Sequence, residues 1–509
     1  MGLRDYTIYD FICRNAALFP EREGIISGDH RWTHREFKIK CDQMAAGLLR
    51  LGVLQGDRLG VVAHNCDEFM ILYGAAAKIG AIVLPVNWRF QQEELEYVLN
   101  DCTPKFCFAG PDFRQSLVDA RGKVEALERC FTLGGGEVPE GFYPFEALYQ
   151  EEGVKEEPDI QVDSGFVIIH TAAVAGLPRG ALLSQRNIIS IGTEMIYSNG
   201  LGFADCHLCI LPLFHIGGLA LAMATMQAGG KNVLVDRFNP ENTLKLIEKE
   251  RGTTFLHFAP ILKMLRDKYD ELGGGFDLSS LRSVGGLDHP DNLKRFKEIA
   301  PQIVFLTGFG QTEALEVTGC PIDERPGSTG RPTYISKVAL FDDYDQEVPI
   351  GTAGEICVRG PAVFLGYWNR EEDNAYTFRN GWHHTGDVGR FDEEGYLWYV
   401  KRKAEKELIK PGGENVYPAE VEKAILSHGC VEEVAVIGVP DPEWGEAVKA
   451  ICVLKKGMKV TEAELIEFVA SKIARYKKPK HVLFVKSLPK TASGEINREE
   501  VKKTYSGKK

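Results

Sequence analysis

The 509-residue chain contains no run approaching the roughly 18 consecutive apolar residues that a membrane span requires. Its first residues, MGLRDYTIYDF, carry charges where a secretory leader needs an apolar stretch, and Tyr6 stands where a myristoylation signal needs Ser or Thr. These absences predict a protein with no integral membrane segment. Cysteine is sparse, with 12 in the whole chain, too few for a disulfide scaffold. Cys206 and Cys209 form a CxxC, yet no second pair and no nearby histidine pair completes a zinc site. They lie in the apolar segment HLCILPLF and read as buried free thiols, which points to a reducing, cytoplasmic compartment. Familiar catalytic signatures are missing too: no G-x-S-x-G elbow, no HExxH, no Walker A loop. TGFGQTE has a G-x-G without the third glycine of a dinucleotide fingerprint. The chain shows no internal repeat and no low-complexity tract.

What is present is ordinary for a globular protein of two to four domains: 44% apolar and 26% charged residues. The net charge of −12 is unevenly distributed. Residues 401–509 hold 22 Lys and Arg against 16 Asp and Glu, whereas the rest holds 38 against 56. An acidic body followed by a basic tail suggests two units meeting over an anionic ligand. The acidic total, and the lack of aromatic residues interleaved in the basic tail, argue against nucleic-acid binding.

Patterning along the first 325 residues alternates helical stretches with short β-rich runs, which predicts α/β layers with parallel strands. Residues 36–51 are amphipathic and end at Gly52; 68–80 form a small-residue helix leading into AIVLPV. Further apolar runs follow at VIIHT, LCILPLF, KNVLVD, TTFLHFAP and IVFLTGFG. From about residue 325 the texture changes to glycine-punctuated strands. KRKAEKELIKPGG then reads as a linker or exposed hairpin. Pro418 suits the first turn of a helix, and Thr461 with Glu464 forms a capping box for another. The expected division is residues 1–402 and a small α+β unit over 403–509.

Five stretches carry chemistry: HTAAVAGLPRG (170–180), LPLFHIGG (211–218), TGFGQTE (307–313), WHHTGD (382–387) and ELIKPGGENVYPAEVE (407–422). In this order they resemble the ANL superfamily of adenylate-forming enzymes, acyl-CoA synthetase type. The resemblance spans nearly the whole chain. It implies a large N-terminal α/β domain of layered sheets and helices that binds AMP and the acyl group, and a small mobile C-terminal lid. It also implies ATP or AMP, coenzyme A and Mg²⁺ as cofactors, a small-molecule carboxylic acid as partner, and a role of the fatty-acid-metabolism kind. The expected reaction has two steps: a carboxylate attacks the α-phosphate of ATP, then the CoA thiol displaces AMP.

On this resemblance each motif receives a role. Thr171, Gly176, Pro178 and Gly180 are what remains of a phosphate loop, with Arg179 as its cation. Gly308, Phe309 and Gly310 place a ring in a glycine-flanked loop where it can stack on adenine. Thr312 offers a hydroxyl to phosphate and Glu313 a carboxylate to Mg²⁺. Gly285, Gly286 and Leu287 border adenine through their backbone; Asp387, at a strand end, accepts from the ribose hydroxyls. His215 gates the acyl pocket, whereas Trp382 and His383 pack. Lys410 approaches the acyl phosphate or CoA, with Gly412, Gly413 and Asn415 against the pantetheine chain. The usual Asp-Arg hinge fits Val400-Lys401-Arg402-Lys403-Ala404 only with a two-residue insertion, which leaves Arg402 as the ribose-contacting candidate.

Two departures fall on the adenylation step. The loop spells Ala172-Ala173-Val174-Ala175 in place of hydroxyls, with Arg179 where the family has Lys; Arg keeps the cation and adds bidentate reach. Near the end, LPKTASGEINRE carries Glu495 where the family has its adenylation lysine. Lys490, five residues earlier, reads as a surface lysine. Three readings therefore stand: an AMP-forming acyl-CoA synthetase for a small-to-medium apolar or aromatic acid; an enzyme working mainly in the thioester half or in reverse; and a non-catalytic binder of nucleotide or acyl-CoA. Oligomeric state is left open.

Overall fold

The structure, a computed structural model, describes residues 5–150, 158–171, 178–402, 408–490 and 496–507. A large N-terminal α/β domain with mixed sheets is followed by a smaller C-terminal domain. Two twisted sheets dominate the large domain. One has eight strands, with Gly165–Thr171, Ile82–Pro85, Arg58–Val62 and Phe106–Ala109 parallel at its centre. The other has nine, among them Thr254–Phe258, Ser283–Leu287 and Val304–Gln311 in parallel, continued antiparallel by Ala314–Pro321. The parallel strands read as near-continuous apolar runs because helices cover both faces. The largest core packs the helices Ile8–Leu18, His34–Arg50, Asp67–Ile79, Gln185–Asn199 and Ile216–Ala228 between the sheets. The helix Ile216–Ala228 is buried along almost its whole length, which is why its sequence, IGGLALAMATMQA, lacks a polar stripe.

Local chemistry sets the ends of these elements. The helix read at 36–51 runs His34–Arg50, with Thr33 and Glu36 as a complete capping box. The second spans Asp67–Ile79 and stops at Gly80 in the left-handed region. A four-stranded antiparallel sheet, Lys337–Phe341, Gly354–Arg359, His383–Phe391 and Leu397–Arg402, accounts for the change of texture after residue 325. The C-terminal domain has a three-stranded sheet, Val431–Asp441, Gly445–Leu454 and His481–Val485, covered by the helices Pro418–Leu426 and Glu462–Lys472. In KRKAEKELIKPGG the first two residues end the strand Leu397–Arg402, and 403–407 lie outside the described residues. Ile409 then bridges antiparallel to Val416, closing a loop around Lys410 and the turn Pro411–Gly413.

The described ends of the phosphate loop belong to two antiparallel strands, Gly165–Thr171 and Arg179–Ser184. Two local expectations are corrected. Phe309 lies within the strand Val304–Gln311, which bulges between Phe309 and Gln311. Asp387 sits inside the strand His383–Phe391 and not at its end. All twelve cysteines are free, Cys206 and Cys209 among the buried ones. Among the described residues no helix is long and apolar enough to cross a membrane.

Candidate active site

A cavity of 620 Å³ opens at the carboxyl ends of Thr254–Phe258, Ser283–Leu287 and Val304–Gln311, where ligands bind in open parallel sheets. The structure brings to its wall Thr171, Arg179, His215, Gly285, Gly286, Leu287, Gly308, Phe309, Gly310, Thr312 and Glu313 from the large domain. Arg402, Lys410 and Asn415 join them from beyond residue 400. Residues 244 positions apart along the chain, Thr171 and Asn415, thus share one wall.

The phosphate-facing end is built around Glu313, only 6% exposed. The Tyr367 hydroxyl donates to its Oε1 at 2.7 Å, and the Thr171 hydroxyl reaches the same oxygen at 3.5 Å. Arg179 lies over the Tyr367 ring, 4.0 Å from its centroid, and donates to the Tyr367 oxygen at 3.3 Å and to Asp373 at 3.1 Å. Burial would lower the Arg179 pKa, but Tyr367, Glu313 and Asp373 outweigh it and hold it above the ordinary value. Its buried Nε has no partner among the described residues. A buried carboxylate flanked by hydroxyls and a fixed guanidinium matches the donor set a hard cation and a phosphate require together.

The adenine side departs from expectation. Phe309 is 8% exposed and packs into a small core with Val317, Leu340 and Ile356. The ring therefore backs onto that core while it also lines the cavity. Gly286 has φ +144°, and a Cβ there would lie 2.1 Å from the His257 carbonyl, so glycine is required for the strands to approach. Asp387 is 1% exposed and does not line the cavity. Arg402 covers it, donating from Nε to Oδ1 at 2.8 Å and from Nη2 to Oδ2 at 2.9 Å. Trp382 and His383 pack: Trp382 meets Phe341 edge-on with Arg359 over its ring, and His383 lies against Phe364.

Desolvation, and then the like charge of Arg402, draws the Lys410 ammonium below the ordinary lysine range. Its backbone N–H donates to Glu446 at 2.7 Å. His215 caps the helix Ile216–Ala228, its Nδ1 accepting from the Gly217 N–H at 3.1 Å. Burial lowers its pKa.

A second cavity, 1030 Å³, lies between the domains. His215 and Phe258 line both cavities and so stand in the wall between them. Gly412 lines the second, at φ +59°, and a Cβ there would sit 2.7 Å from the Trp444 ring. Gly413 belongs to the same turn. Arg89, Arg237, Arg475, Lys478 and Lys480 share this wall with Asp112, Asp236, Glu414 and Glu446, and apolar residues make up most of the rest. Arg89 pairs with Glu414 across the domains. Lys490 pairs with Glu433 at 2.5 Å on the C-terminal sheet and lines neither cavity. Gly176 and Glu495 lie outside the described residues.

Sequence reasoning missed four cavity residues: Tyr367, Tyr417, Glu194 and Glu316. Tyr367 meets Glu313 only through a sequence separation of 54, so no local pattern announces it. Glu194 did leave a signal, as the one acidic residue in QRNIISIGTEMIYSN.

The AMP-binding enzyme family matches residues 12–368, and the AMP-binding enzyme C-terminal domain matches 420–495. The chain is 33% identical to an indoleacetate–CoA ligase of Aromatoleum aromaticum, over 98% of each chain. A solved putative long-chain-fatty-acid CoA ligase from Rhodopseudomonas palustris is 40% identical, with a TM-score of 0.75 over 79% of this chain and 100% of that one. An o-succinylbenzoate CoA synthetase from Bacillus subtilis, bound with a product analogue, is 27% identical with a TM-score of 0.84 over 97% of each. The two domains, the motifs in order and full-length similarity to CoA ligases place this chain in the AMP-binding enzyme family, as an AMP-forming acid–thiol ligase of the acyl-CoA synthetase type.

Proposed function

We propose that the protein activates a small-to-medium aromatic or apolar carboxylic acid as its acyl-adenylate and transfers the acyl group to coenzyme A. The observation that carries this reading is the meeting of two cavities at His215 and Phe258: one has the phosphate-handling set, the other lies between the domains with the Gly412 turn in its wall. In the first step the acid's carboxylate attacks the α-phosphorus and pyrophosphate leaves. Arg179 supplies fixed positive charge, and Thr171, Thr312 and Glu313 orient the phosphates. Glu313 with its hydroxyl neighbours fits Mg²⁺, which when bound neutralises phosphate charge. Arg402, held by Asp387 through Nε and Nη2, presents its remaining N–H groups toward the ribose. In the second step the thiol enters past His215 along Gly412 and attacks the acyl carbonyl, with AMP leaving. Lys410, its pKa lowered, stands near the acyl phosphate as the cation of this step. Relatives named for indoleacetate and o-succinylbenzoate support an aromatic acid.

A second reading places most of the activity in the thioester half. Three observations favour it: Lys410 and the Gly412 turn are already at the cavities, Lys490 is committed to Glu433, and the sequence carries Glu495 in place of a lysine. The decisive measurement is acid-dependent AMP formation with and without CoA, followed by CoA acylation from preformed acyl-adenylate. If neither step runs with any acid in a broad panel, the ligase reading is lost. Glu313→Gln is expected to lower adenylation by about 10²–10³, while Glu495→Lys raises it.

A further inference from the structure

Another part of the cavity wall is formed where the helix Gln185–Asn199 meets the strand Ala314–Pro321 and residues 333–335. Met195, Leu256, Leu306 and Leu315 give it an apolar lining. Two carboxylates interrupt that lining. Glu194 is nearly fully buried, and one of its oxygens, Oε1, accepts the Ile335 N–H at 2.7 Å. Glu316 faces it electrostatically and is held in the left-handed region at φ +55°, a conformation disfavoured for a residue with a side chain. The Thr333 hydroxyl fixes that backbone by donating to the Glu316 carbonyl at 2.6 Å. Among the described residues the Glu316 carboxylate has neither a hydrogen bond nor an ion pair. Arg331, a cation in the same cavity, is engaged elsewhere: it lies 4.1 Å from the Tyr396 ring centroid and donates to the Glu394 carbonyl at 3.1 Å.

A half-buried carboxylate beside a second carboxylate, with no resident donor, is costly unless something enters to satisfy it. Burial, and then Glu194, pushes the Glu316 pKa up to about 7. An entirely hydrocarbon tail would leave both acids unanswered. We infer that the acid taken by this enzyme carries a hydrogen-bond donor at the end remote from its reacting carboxylate, and that Glu316 with Glu194 recognises that donor. The inference rests on the ligase reading and refines its substrate class: the acid is aryl or alicyclic in body but polar at its tip. The donor is a neutral hydroxyl or ring N–H, or a protonated amine; each answers a carboxylate, and only the second adds a charge.

The test uses the full chain with ATP, Mg²⁺, CoA and four 3-phenylpropionic acids whose para substituent is hydrogen, hydroxyl, methoxy or aminomethyl. The phenylacetic series runs in parallel to cover a shorter reach. Expected is a kcat/KM at least about tenfold higher for the hydroxyl or the aminomethyl acid than for the hydrogen and methoxy acids, since a site built for a donor rejects analogues that lack it. Which of the two leads tells neutral from cationic recognition. In Glu316→Gln, and less so in Glu194→Gln, the preference should shrink to within about threefold. Because the readout is a ratio between acids on one protein, partial loss of folded variant does not alter it. Failure of both the hydroxyl and the aminomethyl acids to exceed the hydrogen and methoxy acids, or a ratio unchanged in Glu316→Gln, overturns the inference. Where turnover is slow, the same ratio is read as Kd by calorimetry. Absence of AMP formation with these acids and with the broad panel counts against the ligase reading itself.

Discussion

Two pairs of glutamates in this molecule have been given opposite treatment. Glu94, on the large domain, and Glu420, on the C-terminal domain, converge on Lys477, at 2.6 and 2.5 Å. The lysine is 1% exposed, with the Phe90 ring 5.2 Å from its ammonium. Glu194 likewise acts on Glu316, but among the described residues no cation pairs with either. The first pair is complete within the protein and spans the domain boundary; the second is open to the cavity. A buried carboxylate pair that holds its own counter-ion serves assembly. One left without it is suited to receive a ligand.

Breaking the closed cluster should give the largest effect. Lys477→Met leaves two acids buried without a counter-ion, at a cost of about 3–5 kcal/mol. Because Glu94 and Glu420 come from different domains, the loss falls on their docking in the arrangement described. CoA acylation from preformed acyl-adenylate should therefore drop by at least about a hundredfold, while adenylate formation falls far less. Neutralising all three positions (Glu94→Gln, Lys477→Met, Glu420→Gln) should restore most of the docking, since neutral packing replaces a buried ion cluster at little net cost. Equal losses in both half-reactions would show that the cluster supports general stability instead.

How well the sequence announced these features depended on how local their causes are. The capping box at Thr461 and the apolar strand runs were legible, because each is decided within a few residues. The cavity motifs were legible through their resemblance to a family, and Thr171, Glu313 and Lys410 do share one wall. What stayed hidden was set by tertiary distance. Tyr367 acts on Glu313 across 54 residues, and Lys477 reaches Glu94 across 383. Phe309 was read as a loop ring because glycines flank it, but those glycines serve a bulged strand and close strand approach, from which the ring lines the cavity with its back to a small core. Asp387 carries the right motif yet lies beneath Arg402, a contact between adjacent strands that only the register reveals.

The open pair should reveal itself in pH dependence. The folded-state pKa of Glu316, about 7, exceeds its ordinary value of 4.5. Between those values the folded protein retains a proton that the unfolded chain has released, so stability falls as pH rises from about 4.5 to about 7 and then levels off. At about 1.4 kcal/mol per pH unit, the ceiling of the effect is about 3 kcal/mol. The charged neighbours are Glu194, on the helix opposite, and Arg331, which is turned to Tyr396 and Glu394. Thermal unfolding of wild type and Glu316→Gln from pH 4.5 to 8 should show the variant gaining on the wild type across that window. A constant difference would place the carboxylate in contact with bulk water and remove the cost on which its proposed role depends.

The smallest expected effect separates the two causes of that shift. Burial is the larger and Glu194 the smaller, so Glu194→Gln should lower the Glu316 midpoint by less than about one unit and leave the pH dependence recognisable. Glutamine keeps an oxygen for the Ile335 N–H, so the helix contact survives and only the charge is lost. The readout is the midpoint of the stability difference between Glu194→Gln and the double variant with Glu316→Gln, set beside the same difference in the wild-type background. If the midpoint does not move, the two acids do not sense each other, and donor recognition rests on Glu316 alone. If the pH dependence vanishes, mutual repulsion outweighs burial. The tail end of the cavity is then wetter than its apolar lining suggests, and a neutral donor would gain little there over water.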